Sequence, residues 1–249
     1  MPKKKQSADY DAVWKEDWRD ITAYGPSYQT RYRLIRKLIK KYNLTRGDLL
    51  DAGCGDGSLL VKLHQDWPHL RVHGFDISGE VIQENKKKID LTIGDLSRKN
   101  TLPGKKFDII ICSEVLEHIK EYRKAIANLS ALLKKRGYLI ITSPYRMKQW
   151  TPHDDYARHV RRWEDGQLEK ELERNNITIL ESFSWGRMIY RMYYTAFLAR
   201  QDPKKLSSEK YAFFKRKVFG PVLYRLFMLD DLFRSKGRTV IIVGKKREM

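Results

Sequence analysis

The sequence predicts an α/β protein built on a doubly wound, seven-stranded sheet. From Leu49 onward, short apolar runs alternate with segments in which apolar residues recur every three or four positions. This alternation is typical of a parallel sheet with helices on both faces. A glycine-rich stretch, LLDAGCGDGSLL at 49–60, follows directly on the first apolar run. Sheets of this kind bind their ligands at such strand ends.

The predicted strands are seven short apolar runs, at 49–53, 72–77, 91–95, 107–113, 137–144, 177–185 and 239–245. Three intervening segments, 58–67, 78–88 and 121–135, have the periodicity of amphipathic helices. A basic amphipathic helix at 31–42 precedes the sheet, with Leu34, Ile35, Leu38 and Ile39 on one face. The chain therefore divides into an N-terminal helical cap, 1–45, and a main domain, 46–249, that carries a helical insertion at 187–236.

Composition and charge narrow the class of protein. Hydrophobic residues make up 41% of the chain and charged residues 33%, and no apolar run approaches the roughly 20 residues that span a bilayer. The two cysteines, Cys54 and Cys112, are isolated, which predicts a reducing compartment and a cytoplasmic location. A net charge of +19 favours anionic partners such as nucleic acid, phosphorylated substrates or an acidic membrane surface. A basic surface that is merely solvated is the alternative.

The glycine-rich stretch departs from the pattern of a dinucleotide site. Gly53 and Gly55 match G-x-G-x-x-G, but Ser58 occupies the third glycine position, and Asp51 places a negative charge near the loop. A pyrophosphate would be repelled there, whereas a ligand with an ammonium and a sulfonium, such as S-adenosylmethionine, would be attracted. Asp76 ends the second strand, where a carboxylate can accept hydrogen bonds from both ribose hydroxyls. A tight strand-to-helix turn without a ligand is the alternative.

Four segments in order resemble class I S-adenosylmethionine-dependent methyltransferases: LLDAGCGDGSLL, VHGFDIS, IGDLSRKNTLPGKKFDIIICSEVLEHI and LLKKRGYLIITSPY. The resemblance covers 30–185 and the last strand. It implies a Rossmann-like sheet whose last strand runs antiparallel beside the fifth and sixth, with S-adenosylmethionine as the cofactor. It also implies roles for nine cofactor-binding residues, spread along the length of the ligand. Asp51, Gly53 and Gly55 would face the methionine end, Asp76 the ribose, Ile77, Asp95 and Leu96 the adenine, and Ser113 and Glu114 the pocket floor.

Three histidines are candidates for catalysis. Methyl transfer from a sulfonium relies largely on positioning, but a hydroxyl acceptor also benefits from a general base. His118 ends SEVLEH, and His153 and His159 lie after the fifth strand, in a segment resembling the one that closes over the acceptor in this family. The E-x-x-E-H spacing of Glu114, Glu117 and His118 also resembles a metal site of two methyltransferase groups. One acts in ubiquinone biosynthesis, the other on the 3′-terminal 2′-hydroxyl of small RNAs. Many methyltransferases with this motif hold no metal, so none is assigned.

The insertion at 187–236 is basic and aromatic. It carries 12 Lys and Arg against four acids, together with 11 of the 29 aromatic residues. Three helices are predicted, at 186–200, 207–220 and 221–234. They fit a lid over the acceptor, built with the N-terminal segment 13–28, or a peripheral attachment to an anionic membrane, or a dimer interface.

The predicted function is methyl transfer from S-adenosylmethionine to oxygen or nitrogen of a small or lipid-linked, acidic acceptor. RNA 2′-O-methylation is the alternative suggested by the net charge and the E-x-x-E-H spacing. A catalytically degenerate scaffold that only binds the cofactor is a second alternative. We expect a cytoplasmic protein, with peripheral membrane attachment as a variant of that prediction, and make no prediction of the oligomeric state.

Overall fold

The computed structural model describes residues 25–99, 101–197, 220–233 and 236–248. Most of the N-terminal segment 13–28 and the whole second predicted insertion helix except its last residue lie outside these described residues.

The sheet has seven strands in the order β3-β2-β1-β4-β5-β7-β6. Neighbours among the first five strands are parallel, and β7 runs antiparallel between β5 and β6. The prediction of a doubly wound α/β sheet is therefore confirmed, including the antiparallel last strand. The strands are β1 Gly47–Ala52, β2 Leu70–Asp76, β3 Asp90–Ile93, β4 Phe107–Ser113, β5 Leu133–Pro144, β6 Ile177–Trp185 and β7 Thr239–Lys246.

Seven α-helices lie in the described residues: α1 Pro26–Lys41, α2 Ser58–Asp66, α3 Tyr122–Leu132, α4 Pro152–Tyr156, α5 Gln167–Glu173, α6 Ile189–Met192 and α7 Gly220–Phe227. A π-helical turn, Tyr193–Phe197, continues α6, and a 3₁₀ turn, Met228–Leu232, continues α7. The helix predicted at 31–42 starts earlier because Pro26 occupies the first helical turn, where its missing N–H costs nothing. Its four predicted apolar residues are all buried.

Hydrophobic cores lie on both faces of the sheet. Leu49 and Ile109 point into the core under α1 and α2, whereas their chain neighbours Leu50 and Ile110 point into the core under α3 and α5. Successive side chains of a strand point to opposite faces, so strands that are apolar at every position need helices on both sides. The near-continuous apolar runs of the sequence have this cause.

The prediction of a helix at 78–88 is wrong. Only a 3₁₀ turn, Val81–Glu84, forms there. The side chain of Asn85 donates a 2.8 Å hydrogen bond to the carbonyl of Asp56 in the glycine-rich stretch, and three lysines follow it. A side chain that hydrogen-bonds a backbone group elsewhere competes with helix formation. The adjacent lysines repel one another and so do not stabilise a helix.

Candidate functional site

The loop after β1 is tied to the end of β2. The N–H groups of Gly53 and Cys54 both donate to the carbonyl of Phe75, and the N–H of Gly55 donates to Oδ2 of Asp76 at 2.9 Å. Gly53 has a φ of +85°, and a Cβ there would lie 2.5 Å from a methyl carbon of Val115. The sequence needs glycine at this position because both the dihedral angle and the space exclude a side chain.

Asp51 is buried beneath this loop, with only 3% of its surface exposed. Its Oδ1 has no hydrogen-bond partner. Burial, followed by the charges of Asp76 and Asp56, raises the pKa of Asp51 to about 8. A carboxylate in this position is stabilised by a cation, and a ligand ammonium group near the loop would supply one.

A cleft of about 380 Å³ opens at the carboxyl ends of the strands. The predicted site residues that line it are Gly53, Asp76, Ile77, Asp95, Leu96, Glu114 and His118. Three predicted cofactor residues, Asp51, Gly55 and Ser113, do not line it; the hydroxyl of Ser113 lies 2.8 Å from that of Thr142. Lys120 and Arg158, which were not predicted from the sequence, also line the cleft. Neither belongs to a motif, because they reach the cleft through loops that follow β4 and α4.

The acid after β3 is held in place by its own turn. Oδ1 of Asp95 accepts hydrogen bonds from the N–H and hydroxyl of Ser97, at 2.9 and 2.6 Å. Oδ2 lies 3.2 Å from Nε of Arg98. Leu96 is 4% exposed and supplies an apolar surface beside this polar group. A polar edge next to an apolar face is what a purine ring requires.

Glu114 adopts an unusual backbone conformation. Its φ is +57°, in the left-handed region that a non-glycine residue seldom occupies. Its N–H donates to the carbonyl of Thr142, and its Oε1 accepts from the hydroxyl of Thr142 at 2.9 Å. Such strain persists only where the surroundings hold it, and it is common at functional sites.

A histidine pair lies next to the cleft. The rings of His118 and His159 meet edge to face, with centroids 4.8 Å apart. Burial and the neighbouring His159 lower the pKa of His118 to about 3, so this imidazole is neutral at physiological pH. Burial opposes protonation of His159, but hydrogen bonding to Asp154 and the charge of Glu117 outweigh it and raise the pKa of His159.

Asp154 fixes the orientation of His159. Nδ1 of His159 lies 2.8 Å from Oδ1 of Asp154, whose side chain is fully buried. The same carboxylate accepts from Nε of Arg162 at 2.8 Å and from the N–H and hydroxyl of Thr151. Asp154 was not predicted from the sequence, although T-x-x-D is the signature of a helix capping box, which Thr151 and Asp154 form.

Glu117 is a second buried carboxylate beside the histidine pair. Its Oε2 accepts a 2.8 Å hydrogen bond from the hydroxyl of Ser143, which in turn accepts from the indole N–H of Trp163 at 3.0 Å. Its Oε1 is buried without a hydrogen-bond partner. Burial, followed by the charge of Glu114, raises the pKa of Glu117 to about 7.

Three of these side chains fit a divalent metal ion. Ligand atoms of Glu117, His118 and His159 all lie within 4.8 Å of one another. The unpartnered Oε1 of Glu117 is a suitable donor, and a histidine backed by a carboxylate, as His159 is by Asp154, is a common arrangement around metals. Glu114, the first residue of the E-x-x-E-H spacing, is not part of this trio, in which His159 is the third member.

His153 packs against the insertion. Its ring is 5.1 Å from that of Tyr194, in the π-helical turn of the insertion. Burial and the nearby charge of His159 lower the pKa of His153 to about 4. Its catalytic role stays a prediction.

The described part of the insertion packs on α1. Tyr190 and Phe227, with ring centroids 5.2 Å apart, form an aromatic cluster against Trp185. Asp231 at the end of this part forms ion pairs with Arg33 and Lys37 of α1. None of the helices in the described residues is both long and apolar enough to cross a membrane.

Comparison with known proteins gives a consistent result. A family model described as a methyltransferase domain matches residues 27–182. The ubiquinone biosynthesis O-methyltransferase of Rickettsia bellii (strain OSU 85-389) is 23% identical over 219 residues, covering 76% of this chain and 84% of that protein. The trans-aconitate 2-methyltransferase of Escherichia coli O157:H7 (strain EC4115 / EHEC) is 30% identical over 116 residues, 46% of each chain.

A solved structure extends the likeness to the whole fold. Magnesium protoporphyrin IX methyltransferase (ChlM) from Synechocystis PCC 6803, with bound SAH, gives a TM-score of 0.64 at 19% identity. The match covers 98% of this chain and 99% of that one. Its ligand is the demethylated product of S-adenosylmethionine, the cofactor expected from the acids at the carboxyl ends of β1, β2 and β3. Because the family model spans more than half of the chain, this protein belongs to the methyltransferase domain family, and it is a class I S-adenosylmethionine-dependent methyltransferase.

Proposed function

We propose that the protein transfers a methyl group from S-adenosylmethionine to a hydroxyl oxygen of a small acceptor. The observation that carries this proposal is the contact of 2.8 Å between Nδ1 of His159 and the buried carboxylate of Asp154. A hydroxyl must lose its proton as it attacks, and a histidine oriented by a carboxylate is a common general base. The relative from Rickettsia bellii, named for O-methyl transfer, supports oxygen as the acceptor atom.

The cofactor and the acceptor would occupy different halves of the sheet. Asp51, Asp76 and Asp95 lie at the carboxyl ends of β1, β2 and β3, where we place the cofactor. The histidine pair lies beyond β4, beside the cleft wall formed by Glu114 and His118. In this arrangement His118 contacts the acceptor as a neutral imidazole, and His159 removes the proton. In-line transfer then needs only that the acceptor oxygen faces the cofactor's methyl group.

Initial rates with methyl-labelled cofactor and a panel of hydroxybenzoates test this proposal, with mass spectrometry to locate the new methyl group. We expect His159→Gln to lower kcat by about 10²- to 10⁴-fold, the usual contribution of a general base. His69→Gln is the matched control, because His69 is exposed at the start of β2, at the opposite edge of the sheet. A methyl group on nitrogen, or a His159→Gln variant as fast as the unaltered protein, would refute it.

A metal ion is the second candidate for activating the acceptor. Glu117, His118 and His159 would hold it, and a divalent ion supplies Lewis-acid polarisation of a bound hydroxyl. Measuring the metal content of the purified protein, before and after dialysis against a chelator, separates the two candidates. Bound metal in the unaltered protein that is lost in His159→Gln favours the metal. Full activity in chelator with no metal content favours the base.

We further propose that the insertion attaches the enzyme to an anionic membrane surface. Val222, Leu226 and Leu229, spaced for one helical face, are 51%, 42% and 47% exposed. Leu232, at 77%, follows them. Both acids of the described part of the insertion are directed inward: Asp230 is fully buried and Asp231 pairs with α1. The exposed apolar side chains can enter the lipid, and the lysines and arginines of the insertion can bind the lipid phosphates. Because Asp230 and Asp231 point inward, they do not repel an anionic surface.

A further inference from the structure

The strongest unexplained feature outside the histidine pair is a buried arginine before β7. Arg238 is 2% exposed, and its Nη2 is buried without a hydrogen-bond partner. Its backbone is firmly held, since its N–H donates to the carbonyl of Trp185 and its carbonyl accepts from Tyr145. The guanidinium carbon lies 4.2 Å from the ring centroid of Tyr194, which covers one face of the planar group.

No carboxylate in the described part of the chain neutralises the charge of this arginine. Within the described residues, no carboxylate lies within ion-pairing distance of Arg238. The charge of the buried Asp154 acts on Arg238, but Asp154 is already bonded by both Nε and Nη2 of Arg162, by His159 and by Thr151. Asp154 therefore pairs with Arg162 and leaves Arg238 without an ion-pair partner among the described residues. An uncompensated buried cation is costly and calls for an anion.

The position of Arg238 places this missing anion on the acceptor side. Arg238 precedes Thr239, which pairs with Pro144 at the end of β5, so it lies at the edge of the sheet that carries the cleft. Tyr190 is influenced by the charges of both Glu114, which lines the cleft, and Arg238. The acids that we assign to the cofactor lie at the carboxyl ends of β1, β2 and β3, on the other half of the sheet.

We propose that Arg238 binds a carboxylate or phosphate group of the acceptor and so selects acidic substrates. Tyr194 covers one face of the guanidinium, so an anion would bind at the edge of the group. The unpartnered Nη2 is one of the N–H donors along that edge, which match the geometry of a carboxylate or phosphate. This inference rests on the proposed function, because it concerns the acceptor of the same reaction. Arg238 thereby determines which molecule is held, while the histidine pair acts on its hydroxyl group.

Thermal unfolding of the full-length protein tests the inference without any methyl transfer. The probe is inorganic phosphate, compared with chloride at equal ionic strength. We expect phosphate to raise the Tm of the unaltered protein by roughly 5 °C or more at a hundredfold excess over its Kd. Arg238→Met should lose this shift and keep at least the original Tm in chloride, because it removes a buried, unneutralised charge. Arg174→Met, an exposed arginine paired with Glu171, is the control and should respond like the unaltered protein.

Four results decide whether Arg238 binds an anionic group of the acceptor. A general salt effect of phosphate acts equally on all variants, so equal shifts in the unaltered protein and Arg238→Met would overturn the inference. If Arg238→Met does not fold, Arg238→Lys should bind phosphate several-fold more weakly, and undiminished binding by that variant would likewise overturn it. Loss of the phosphate shift in saturating S-adenosylhomocysteine would instead assign Arg238 to the cofactor's carboxylate. A phosphate shift that persists there, in a protein inactive on hydroxyl acceptors, would uphold the anion site and refute only the proposed function.

Discussion

At the residue scale, the cofactor half of the site depends on carboxylates whose neighbours keep them in place. The carboxylate of Asp76 accepts two backbone hydrogen bonds: Oδ2 accepts from the N–H of Gly55, and Oδ1 accepts from the N–H of Ser78. Each carboxylate oxygen has two lone pairs, so ribose hydroxyls can be accepted in addition to these backbone groups. Asp76 thus links the shape of the glycine loop to recognition of the ribose.

We expect Asp76→Ala to weaken binding of S-adenosylhomocysteine by about 10- to 100-fold, the loss of one or two hydrogen bonds to a charged group. Calorimetric titration measures this change. Asp76→Asn is the matched comparison, because it keeps one acceptor oxygen and should lose less. Equal affinity of the unaltered protein and Asp76→Ala would exclude the ribose role, provided that the circular dichroism of the variant is unchanged.

At the element scale, the insertion is organised by acids that hold its helices to the rest of the protein. Asp230 accepts hydrogen bonds from the N–H groups of Met188, Ile189 and Tyr190, which begin α6, and a negative charge at a helix start is favourable. Asp231 ties the end of the same segment to Arg33 of α1 and to the indole N–H of Trp185. Leu223 and Phe227 of α7 are buried by this packing, and Val222 and Leu226 are left on the outer face.

Flotation with vesicles tests the membrane proposal for this element. The unaltered protein should float with anionic vesicles and not with neutral ones, and added salt should weaken the binding. Replacing both Leu226 and Leu229 with Asp should abolish flotation, because it removes apolar area and adds repulsion. Leu180→Asp is the control, since Leu180 is 42% exposed on β6, away from the insertion. Flotation of the double variant equal to that of the unaltered protein would contradict the proposal.

If the insertion is instead a face for a second copy of the chain, the unaltered protein should ignore vesicles and sediment as a dimer. The Leu226 and Leu229 double variant should then be a monomer. Sedimentation velocity on the same samples gives this result directly.

At the scale of the whole molecule, burial of the Asp51 carboxyl group makes the free energy of unfolding depend on pH, and a bound cation would reduce this dependence. The raised pKa of Asp51, about 8 against an ordinary 3.8, means that the folded protein holds a proton the unfolded chain releases. Its contribution to stability is therefore complete below about pH 4 and is lost as the pH rises toward 8. The positive charge of the cofactor's amino group offsets this loss when it binds near the loop.

We expect the free energy of unfolding of the ligand-free protein to fall between pH 5 and pH 8, within the window set by the two pKa values of Asp51. Asp51→Asn should flatten this dependence, and saturating S-adenosylhomocysteine should flatten it in the unaltered protein. Urea unfolding at several pH values measures both effects. Asp165→Asn, which changes an exposed acid, should leave the slope as it was. An unchanged slope in Asp51→Asn would show that burial of this carboxyl group does not control it.

The sequence by itself determined the sheet and the position of the predicted cofactor residues along one edge of it. Strand, glycine loop and helix are adjacent in the chain, and parallel strands bring the acids at the carboxyl ends of β1, β2 and β3 to one edge of the sheet. Local order therefore implies spatial proximity, and the strand-end positions of Asp76 and Asp95 follow from the chain order alone. The prediction of a helix at 78–88 failed because it used local periodicity alone. The conformation there depends on the hydrogen bond from Asn85 to the carbonyl of Asp56, 29 residues earlier in the chain.

Only the tertiary structure decided the acceptor side. Glu117 meets Ser143, 26 residues away, and Arg238 lies against Tyr194, from a different part of the chain. What matters for these groups is whether water reaches them and which charges face them, and packing between distant elements sets both. The spacing of apolar residues along the chain cannot show that both oxygens of Asp154 accept hydrogen bonds. Nor can it show that Arg238 has no carboxylate partner among the described residues. Desolvation and charge pairing, which arise only when the elements assemble, are the grounds on which we propose these residues for the acceptor.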